Sequence, residues 1–236
     1  MASKSPTLML TTPYANLTYA WLHKPEPKYG YYQLTLVFKP DDVFTPSDLG
    51  LQGTEPINSI EFMLDNLEGY KKRWKEQVQK ENPNKKLTWS RDKDGFPKEY
   101  WKTTEQGLEV YCKMPSGKRT NKQGAEFELP PPKFAEQVGD NVVFLTKEES
   151  AKYDKLSPES RGQAYLRIQG FDLDEVGMRI QPVSVIVRSY VPYDGVASPQ
   201  DMGFLPTKQP VPVPPDSCFE DEPGQPIKQP ASASDW

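Results

Sequence analysis

Residues 31–38 read Tyr-Tyr-Gln-Leu-Thr-Leu-Val-Phe, and this stretch decides the fold class. Every second residue from Tyr32 to Phe38 is apolar, and a period of two predicts a β-strand. Residues 17–22 predict its partner strand, because the turn-rich segment 24–30 joins the two. The first recognisable unit of the chain is therefore a β-hairpin.

A second hairpin is predicted further along the chain. Residues 108–114 alternate between an apolar inner face and an outer face that carries Tyr111 and Lys113. Residues 115–124 form a basic loop, and residues 125–129 predict a returning strand. We therefore expect these two strands to pair with each other.

Two more strands are predicted towards the end of the ordered region. Residues 164–171 alternate in the same way, and residues 178–191 are long and rich in β-branched side chains. Pro182 interrupts the last strand and cannot donate to a β-ladder, so we expect it at a bulge or a sheet edge.

One strong helix is predicted between the second and third strands. Residues 57–81 place apolar side chains at a three–four spacing, which indicates an amphipathic helix with one charged face. Pro56 suits its first turn, and Asn82-Pro83 predicts its end.

These elements predict a mainly β fold. Five or so strands with one long inserted helix fit an OB-fold five-stranded barrel or another Greek-key barrel, whereas a doubly wound α/β fold would need several helices. We expect one domain over residues 1–193, in which residues 82–107 form a basic aromatic loop. Residues 194–236 contain nine prolines and predict a flexible, disordered tail.

Charge is distributed unevenly along the 236 residues. The chain has 29 bases and 33 acids, so its net charge is -4. Residues 194–236 hold seven acids and two bases, or -5, which leaves +1 for the rest. Residues 71–102 hold eleven bases and five acids, or +6. A basic middle and an acidic tail indicate a body that binds a polyanion.

Several classes of function lack the residues they need. One histidine, His23, and two cysteines, Cys112 and Cys218, exclude a site with several histidines, a four-cysteine zinc site and a disulfide framework. The sequence has no phosphate-binding loop, dinucleotide-binding glycine motif or nucleophile elbow. No apolar run is long enough to cross a membrane, and residues 1–12 predict no secretion signal. We expect a non-enzyme without metal or cofactor, in a reducing cytosol.

Aromatic residues beside Lys or Arg recur through the chain. Proteins that bind single-stranded nucleic acid need this combination, because planar side chains stack on bases while cations neutralise phosphates. Trp74 fits the apolar helix stripe and is expected in the core. The predicted DNA-binding residues are Lys28, Tyr29, Trp89, Arg91, Tyr100, Trp101, Lys102, Tyr111, Lys113, Lys118, Arg119, Tyr165 and Arg167.

The order of elements from Pro13 to Tyr193 resembles the single-stranded DNA-binding proteins of bacteriophage replisomes, the small podovirus type with an OB-fold. The resemblance lies in the opening hairpin at residues 20–36, the charged helix with its Lys-rich exit, and residues 176–188, where Gly177 precedes alternating apolar residues. It implies that basic residues of the opening hairpin and of a lysine-bearing strand contact DNA. Lys28 and Lys113 stand at the matching positions.

The resemblance also implies an acidic C-terminal tail that ends in an aromatic residue, contacts replisome proteins and competes with DNA for the basic groove. Asp235-Trp236 stands in that place, and with Phe219 it forms the predicted partner-binding segment. The tail here is Pro-rich and less acidic, so we expect weaker competition. Residues 133–162 have no clear counterpart in the family and are expected to form a separate flap.

The sequence therefore predicts a protein, monomeric or homodimeric, that coats single-stranded DNA during phage replication, recombination or repair. The resemblance places it in the cytoplasm of the infected bacterium, with the phage DNA polymerase or helicase–primase as partners of the tail. Two alternatives stay open: a protein-interaction or virion structural module, and a metal-dependent nuclease that uses Asp172, Asp174 and Glu175. RNA binding also stays open, because stacking does not select the sugar.

Overall fold

The computed structural model describes residues 5–28, 30–84, 86–92, 94–120, 124, 126–139, 141–153, 156–172 and 175–192. The strands in these ranges are β1 (Thr7–Thr11), β2 (Ala15–Trp21), β3 (Tyr31–Phe38), β4 (Val43–Phe44), β5 (Ile57–Asn58), β6 (Trp101–Thr104), β7 (Gly107–Pro115), β8 (Lys118–Thr120), β9 (Glu126–Glu128), β10 (Lys133–Val138), β11 (Asn141–Phe144), β12 (Arg161–Asp172) and β13 (Val176–Ser189). The α-helices are α1 (Ser59–Glu81) and α2 (Lys147–Ser150). No helix in the described part of the chain is both long enough and apolar enough to cross a membrane.

One large sheet dominates the described residues. Its strand order is β11-β10-β13-β12-β2-β3-β7-β6, and β1 adds to β12 as a ninth strand. Neighbouring strands are antiparallel, except that β10 runs parallel to β13. The predicted number of about five strands was too low, because strands such as β6 and β10 show no regular alternation of apolar and polar residues.

The segment 88–100 draws the two arms of this sheet together. The backbone N–H of Ser90 donates to the carbonyl of Val176 on β13 at 2.8 Å. At the other end of the segment, the N–H of Tyr111 on β7 donates to the carbonyl of Tyr100 at 2.9 Å. The sheet therefore curves into a barrel in which β13 approaches β7. The prediction of a mainly β, OB-like fold is confirmed.

Helix α1 packs its apolar stripe against the barrel. Trp74 is fully buried, and its Nε1–H donates to the carbonyl of Gly177 at 3.1 Å. Gly170 makes room for the indole, since a Cβ there would lie 2.4 Å from a ring carbon. The Tyr70 hydroxyl accepts the N–H of Gly170 at 2.6 Å. The helix is thereby fixed to the end of β12 and the start of β13, and the expectation that Trp74 lies in the core is confirmed.

The predicted start of the helix was two residues too early. The Asn58 side chain accepts the N–H of Ile60 at 2.9 Å and of Glu61 at 3.2 Å, so it caps a helix that begins at Ser59. Ile57 and Asn58 instead pair with β4. Pro56 therefore precedes a short strand, because an Asn cap leaves its own backbone extended.

Of three further expectations about the sheet, two are wrong and one is confirmed. The predicted pairing of residues 108–114 with 125–129 is wrong, because β3 and β6 occupy both edges of β7 and β9 pairs with β8. Residues 133–162 are not a separate flap, since β10 adds to the main sheet beside β13. The expected bulge at Pro182 is confirmed by a register shift where it lies opposite Leu166.

Candidate nucleic-acid interface

The outer face of the barrel carries Tyr111 and Lys113 on β7. Tyr111 lies opposite Thr35 of β3, and Lys113 lies opposite Gln33. The residues between them, Leu34 and Cys112 among them, are buried. Since side chains alternate across a strand, burial of one set directs the other towards solvent.

Three cations converge beside this face. Partial burial, followed by the charges of Lys113 and Arg179, lowers the pKa of Lys98. The ammonium group of Lys98 lies 5.5 Å from the ring centroid of Tyr100, and the guanidinium carbon of Arg179 lies 5.3 Å from that of Phe171. Contacts of this kind attract a cation to the ring face. Two of the three cations, Lys98 and Arg179, are therefore held in place by aromatic rings. An anion bound between the three cations would offset their mutual repulsion.

The cationic surface continues from β13 onto β12. Arg179 lies opposite Gln169, and Arg167 and Tyr165 follow at alternate positions on the same exposed face of β12. The structure thus brings the predicted pairs on β7 and β12 onto one surface. Lys98 and Arg179 connect them. Lys98 falls within the predicted basic aromatic loop, but neither residue was among the predicted DNA-binding residues. The outward positions of the last strand were a signal that could have identified Arg179.

The hydroxyl of Tyr111 is engaged within the protein. It donates to Oε2 of Glu109 at 2.7 Å. Partial burial and the Glu109 carboxylate raise the pKa of Tyr111, with a further contribution from Glu99. The phenol therefore stays protonated at neutral pH, and the half-buried ring is the part that can contact a ligand.

The structure removes Tyr100 from the set of possible stacking residues. Its side chain is only 7% exposed. The hydroxyl lies 3.1 Å from Oγ of Ser90 and accepts the backbone N–H of Met178 at 3.3 Å. Tyr100 was predicted to contact DNA because it stands among cations in the sequence, but its ring packs inside the barrel beneath Lys98.

Trp89 and Trp101 are partly buried rather than displayed on a loop. Lys71 of α1 places its ammonium group 5.1 Å from the Trp89 centroid and 5.3 Å from the Trp101 centroid. Lys75 lies 4.9 Å from the Trp89 centroid. Trp101 begins β6, so the predicted loop 82–107 ends in a strand. These rings hold lysine side chains of the helix, and a base could stack only by displacing them.

Those lysines line a cavity of 570 Å³ between α1 and the segment that leads into β6. Three glutamates share the lining with three lysines, so the charges of the cavity are balanced. Partial burial, followed by the charge of Lys75, lowers the pKa of Lys71. The cavity is therefore a less favourable anion site than the cluster of Lys98, Lys113 and Arg179.

Other predicted residues lie at the margins. Lys28 is exposed in the turn between β2 and β3. Lys102 lies opposite Glu109 across β6 and β7, which reduces its local charge. Arg91 donates from its guanidinium to the carbonyl of Gly95 at 3.1 Å and so supports the turn that precedes Lys98.

The hairpin of β8 and β9 holds two further predicted residues. Lys118 forms an ion pair with Glu126 at 3.5 Å, and Arg119 lies on β8. Tyr29 and the tail residues Phe219, Asp235 and Trp236 lie outside the described residues.

No group of three or more metal-ligating side chains occurs within the described ranges. Of the three acids considered for a nuclease, Asp174 lies outside those ranges. Asp172 is 7% exposed, and the carboxylate of Glu175 accepts the backbone N–H of Arg91 at 3.2 Å. Glu175 thus serves to join the barrel-closing segment to β13.

The fold described above, a curved sheet with one long helix packed against it, is of the kind found in a bacteriophage single-stranded DNA-binding protein. The chain is similar to the crystal structure of gp2.5, a single-stranded DNA-binding protein encoded by bacteriophage T7. The TM-score is 0.55 at 10% identity, over 88% of this chain and 100% of that one. The likeness therefore concerns the fold.

A second protein in the comparison is the single-stranded DNA-binding protein from bacteriophage Enc34. Its structure has a TM-score of 0.42 at 13% identity, over 83% of this chain and 89% of that one. Its complex with single-stranded DNA has a TM-score of 0.39 at 13% identity, over 78% and 89% of the two chains. No protein-family model matches the chain, and no curated protein sequence does.

Proposed function

We propose that this protein binds single-stranded DNA without strong sequence preference and without catalysis. The observation that carries the proposal is the convergence of Lys98, Lys113 and Arg179 beside the outward ring of Tyr111. Like charges held together repel one another, and a phosphate backbone would neutralise them. The fold shared with a phage single-stranded DNA-binding protein supports the same conclusion.

The chemistry of the surface suits a flexible single strand. Phosphates would lie along Lys113 on β7, Lys98 on the segment 88–100, Arg179 on β13 and Arg167 on β12. Bases would stack on Tyr111 and on Tyr165, which is 38% exposed. Each stacked base contributes about 1–3 kcal/mol, and every base has a planar face, so recognition tolerates sequence. A duplex hides those faces and would bind more weakly.

The remaining predicted residues complete the proposal. Lys28 would extend the surface at the opening hairpin, and Lys118 and Arg119 would extend it at the hairpin of β8 and β9. Trp89 and Trp101 position the lysines of α1 instead of stacking. Phe219, Asp235 and Trp236 would bind a replication partner such as the phage DNA polymerase or helicase–primase. In this role the protein would act in the host cytoplasm during phage DNA replication, recombination or repair, as a monomer or homodimer.

The test is a titration of intrinsic tryptophan fluorescence with oligo-dT, with duplex DNA of equal length as the control. We expect quenching by the single strand, little change with duplex, and weaker binding as salt rises. Of the five tryptophans, Trp74 is buried, whereas Trp21 is 37% exposed on β2, two strands from Tyr111 on β7, where a bound strand can quench it. Absence of binding at low salt, by the full chain and by a chain ending at residue 193, would refute the proposal.

One observation favours a second candidate, a protein-interaction module. The edge hairpin of β10 and β11 exposes Val138, Val142, Val143 and Phe144 to between 48% and 62%. Apolar side chains on both faces of an edge strand favour pairing with another protein chain. The same titration separates the candidates, because such a module would show no salt-dependent affinity for oligo-dT.

A further inference from the structure

Strand β2 contains a bulge that two buried leucines impose. Leu17 and Leu22 are 0% and 1% exposed, although an interval of five residues would place them on opposite faces of a regular strand. The pairing with β3 is accordingly interrupted: Thr18 lies opposite Thr35, and the next pair is Trp21 with Gln33. Two residues of β2 thus oppose one residue of β3, which defines a β-bulge.

The extra residue in this bulge is Tyr19. Its φ is +47°, and among the described residues it is the one non-glycine position with a positive φ. Gly or Asn adopts this conformation at low cost, whereas it is a genuine outlier for a bulky residue. Tyr19 is also 77% exposed, the highest value among the large apolar and aromatic side chains that the structure describes. Neither backbone preference nor burial therefore explains a tyrosine here.

The bulge lies on the same outer surface as the proposed interface. Thr18 and Trp21 flank Tyr19 and stand in register with Thr35 and Gln33 of β3, which in turn lie opposite Tyr111 and Lys113. Adjacent strands are about 4.8 Å apart, so β2 lies about 10 Å from β7 across β3. Trp21 and Tyr31 are 37% and 38% exposed beside it.

We propose that Tyr19 is a base-stacking residue and that the bulge exists to present it to the single strand. The inference rests on the proposed function and extends its surface across β2. A strand that crosses β12, β13 and β7 would meet Tyr19 and Trp21 next. The backbone conformation turns the ring outward from a position that regular alternation would have faced inward with Leu17.

The experiment compares binding of labelled oligo-dT, by fluorescence anisotropy, to the wild type and to Tyr19→Asn, Tyr19→Gly and Tyr19→Phe. Asn and Gly fit the positive φ, so both variants fold, with a Tm at least equal to that of the wild type. We expect them to bind about 5- to 150-fold more weakly, the loss of one stacked base. Tyr19→Phe keeps the ring and should bind within twofold of the wild type. The matched control is Phe144→Ala, which removes another exposed ring on the edge strand β11.

An abasic strand of equal length gives a readout that a purely structural role would not change. It has phosphates but no bases, so the wild type and Tyr19→Asn should bind it equally. If the wild type binds oligo-dT and Tyr19→Asn binds it as tightly, the stacking role is refuted while the proposed function stands. A wild type that fails to bind oligo-dT refutes both.

Discussion

The salt dependence of binding can be worked out from the cations on the barrel face. Four cations are placed to contact phosphates: Lys98, Lys113, Arg167 and Arg179. The perturbation is to replace each of them singly by alanine, and the first variant is Arg179→Ala. Arg179 is suited to this test because its guanidinium packs on Phe171, so its position does not depend on a bound strand.

The expected magnitude follows from counterion release. Each phosphate neutralised on a single strand contributes about -0.7 to the slope of log affinity against log salt, so four contacts give about -2.8. Between 50 and 200 mM salt the wild type should therefore lose affinity about 50-fold. Arg179→Ala should have a slope of about -2.1 and lose about 20-fold over the same range.

The assay is titration with oligo-dT at five or six salt concentrations. Lys39→Ala is the matched control, because Lys39 is exposed and follows β3 six residues beyond Gln33, about 20 Å from the row that holds Lys113. The control should keep the wild-type slope. An Arg179→Ala slope equal to that of the wild type, or an equal change in both variants, would show that the cluster does not contact phosphate.

Three further predictions concern pH, the core and the tail. Burial and the charges of Lys113 and Arg179 lower the pKa of Lys98, and a bound phosphate would raise that pKa again. Affinity for oligo-dT should therefore be highest at neutral pH and fall as the pH rises towards the ordinary pKa of lysine. The variant Lys98→Arg should abolish that fall in an oligo-dT titration. Trp74→Ala should reduce the free energy of unfolding by about 3–5 kcal/mol, measured by urea denaturation with circular dichroism, and a loss below 1 kcal/mol would contradict the packing of α1 described above. A chain ending at residue 193 lacks a segment of net charge -5 and should bind oligo-dT severalfold more tightly at low salt; equal affinity would show that the tail does not compete with DNA.

Some elements were predictable because each packs against the rest of the protein through one face. The strand at residues 31–38 and the helix that ends at Glu81 each bury one face more deeply than the other, so their periods are visible in the sequence. Pro182 was placed at a bulge correctly because proline lacks the donor that a regular ladder needs.

The candidate site was predictable only in part. The outward positions of Tyr111, Lys113, Tyr165 and Arg167 were predictable because side chains alternate along long strands. Tyr100 was misassigned, since a segment without a clear period gives no sign that its ring enters the core. Tyr19 was missed because alternation grouped it with Leu17, and the bulge that separates them is set by the burial of Leu22.

The sequence by itself determined which segments form the long strands and the helix, and which residue types could bind a single strand. Those are local properties, fixed by the spacing of apolar residues and by the charge of each side chain. Only the tertiary structure decided that segment 88–100 closes the barrel and that Lys98 lies within the electrostatic influence of Lys113 and Arg179. These residues are far apart along the chain, and their encounter depends on strand pairing and register, which no local pattern specifies.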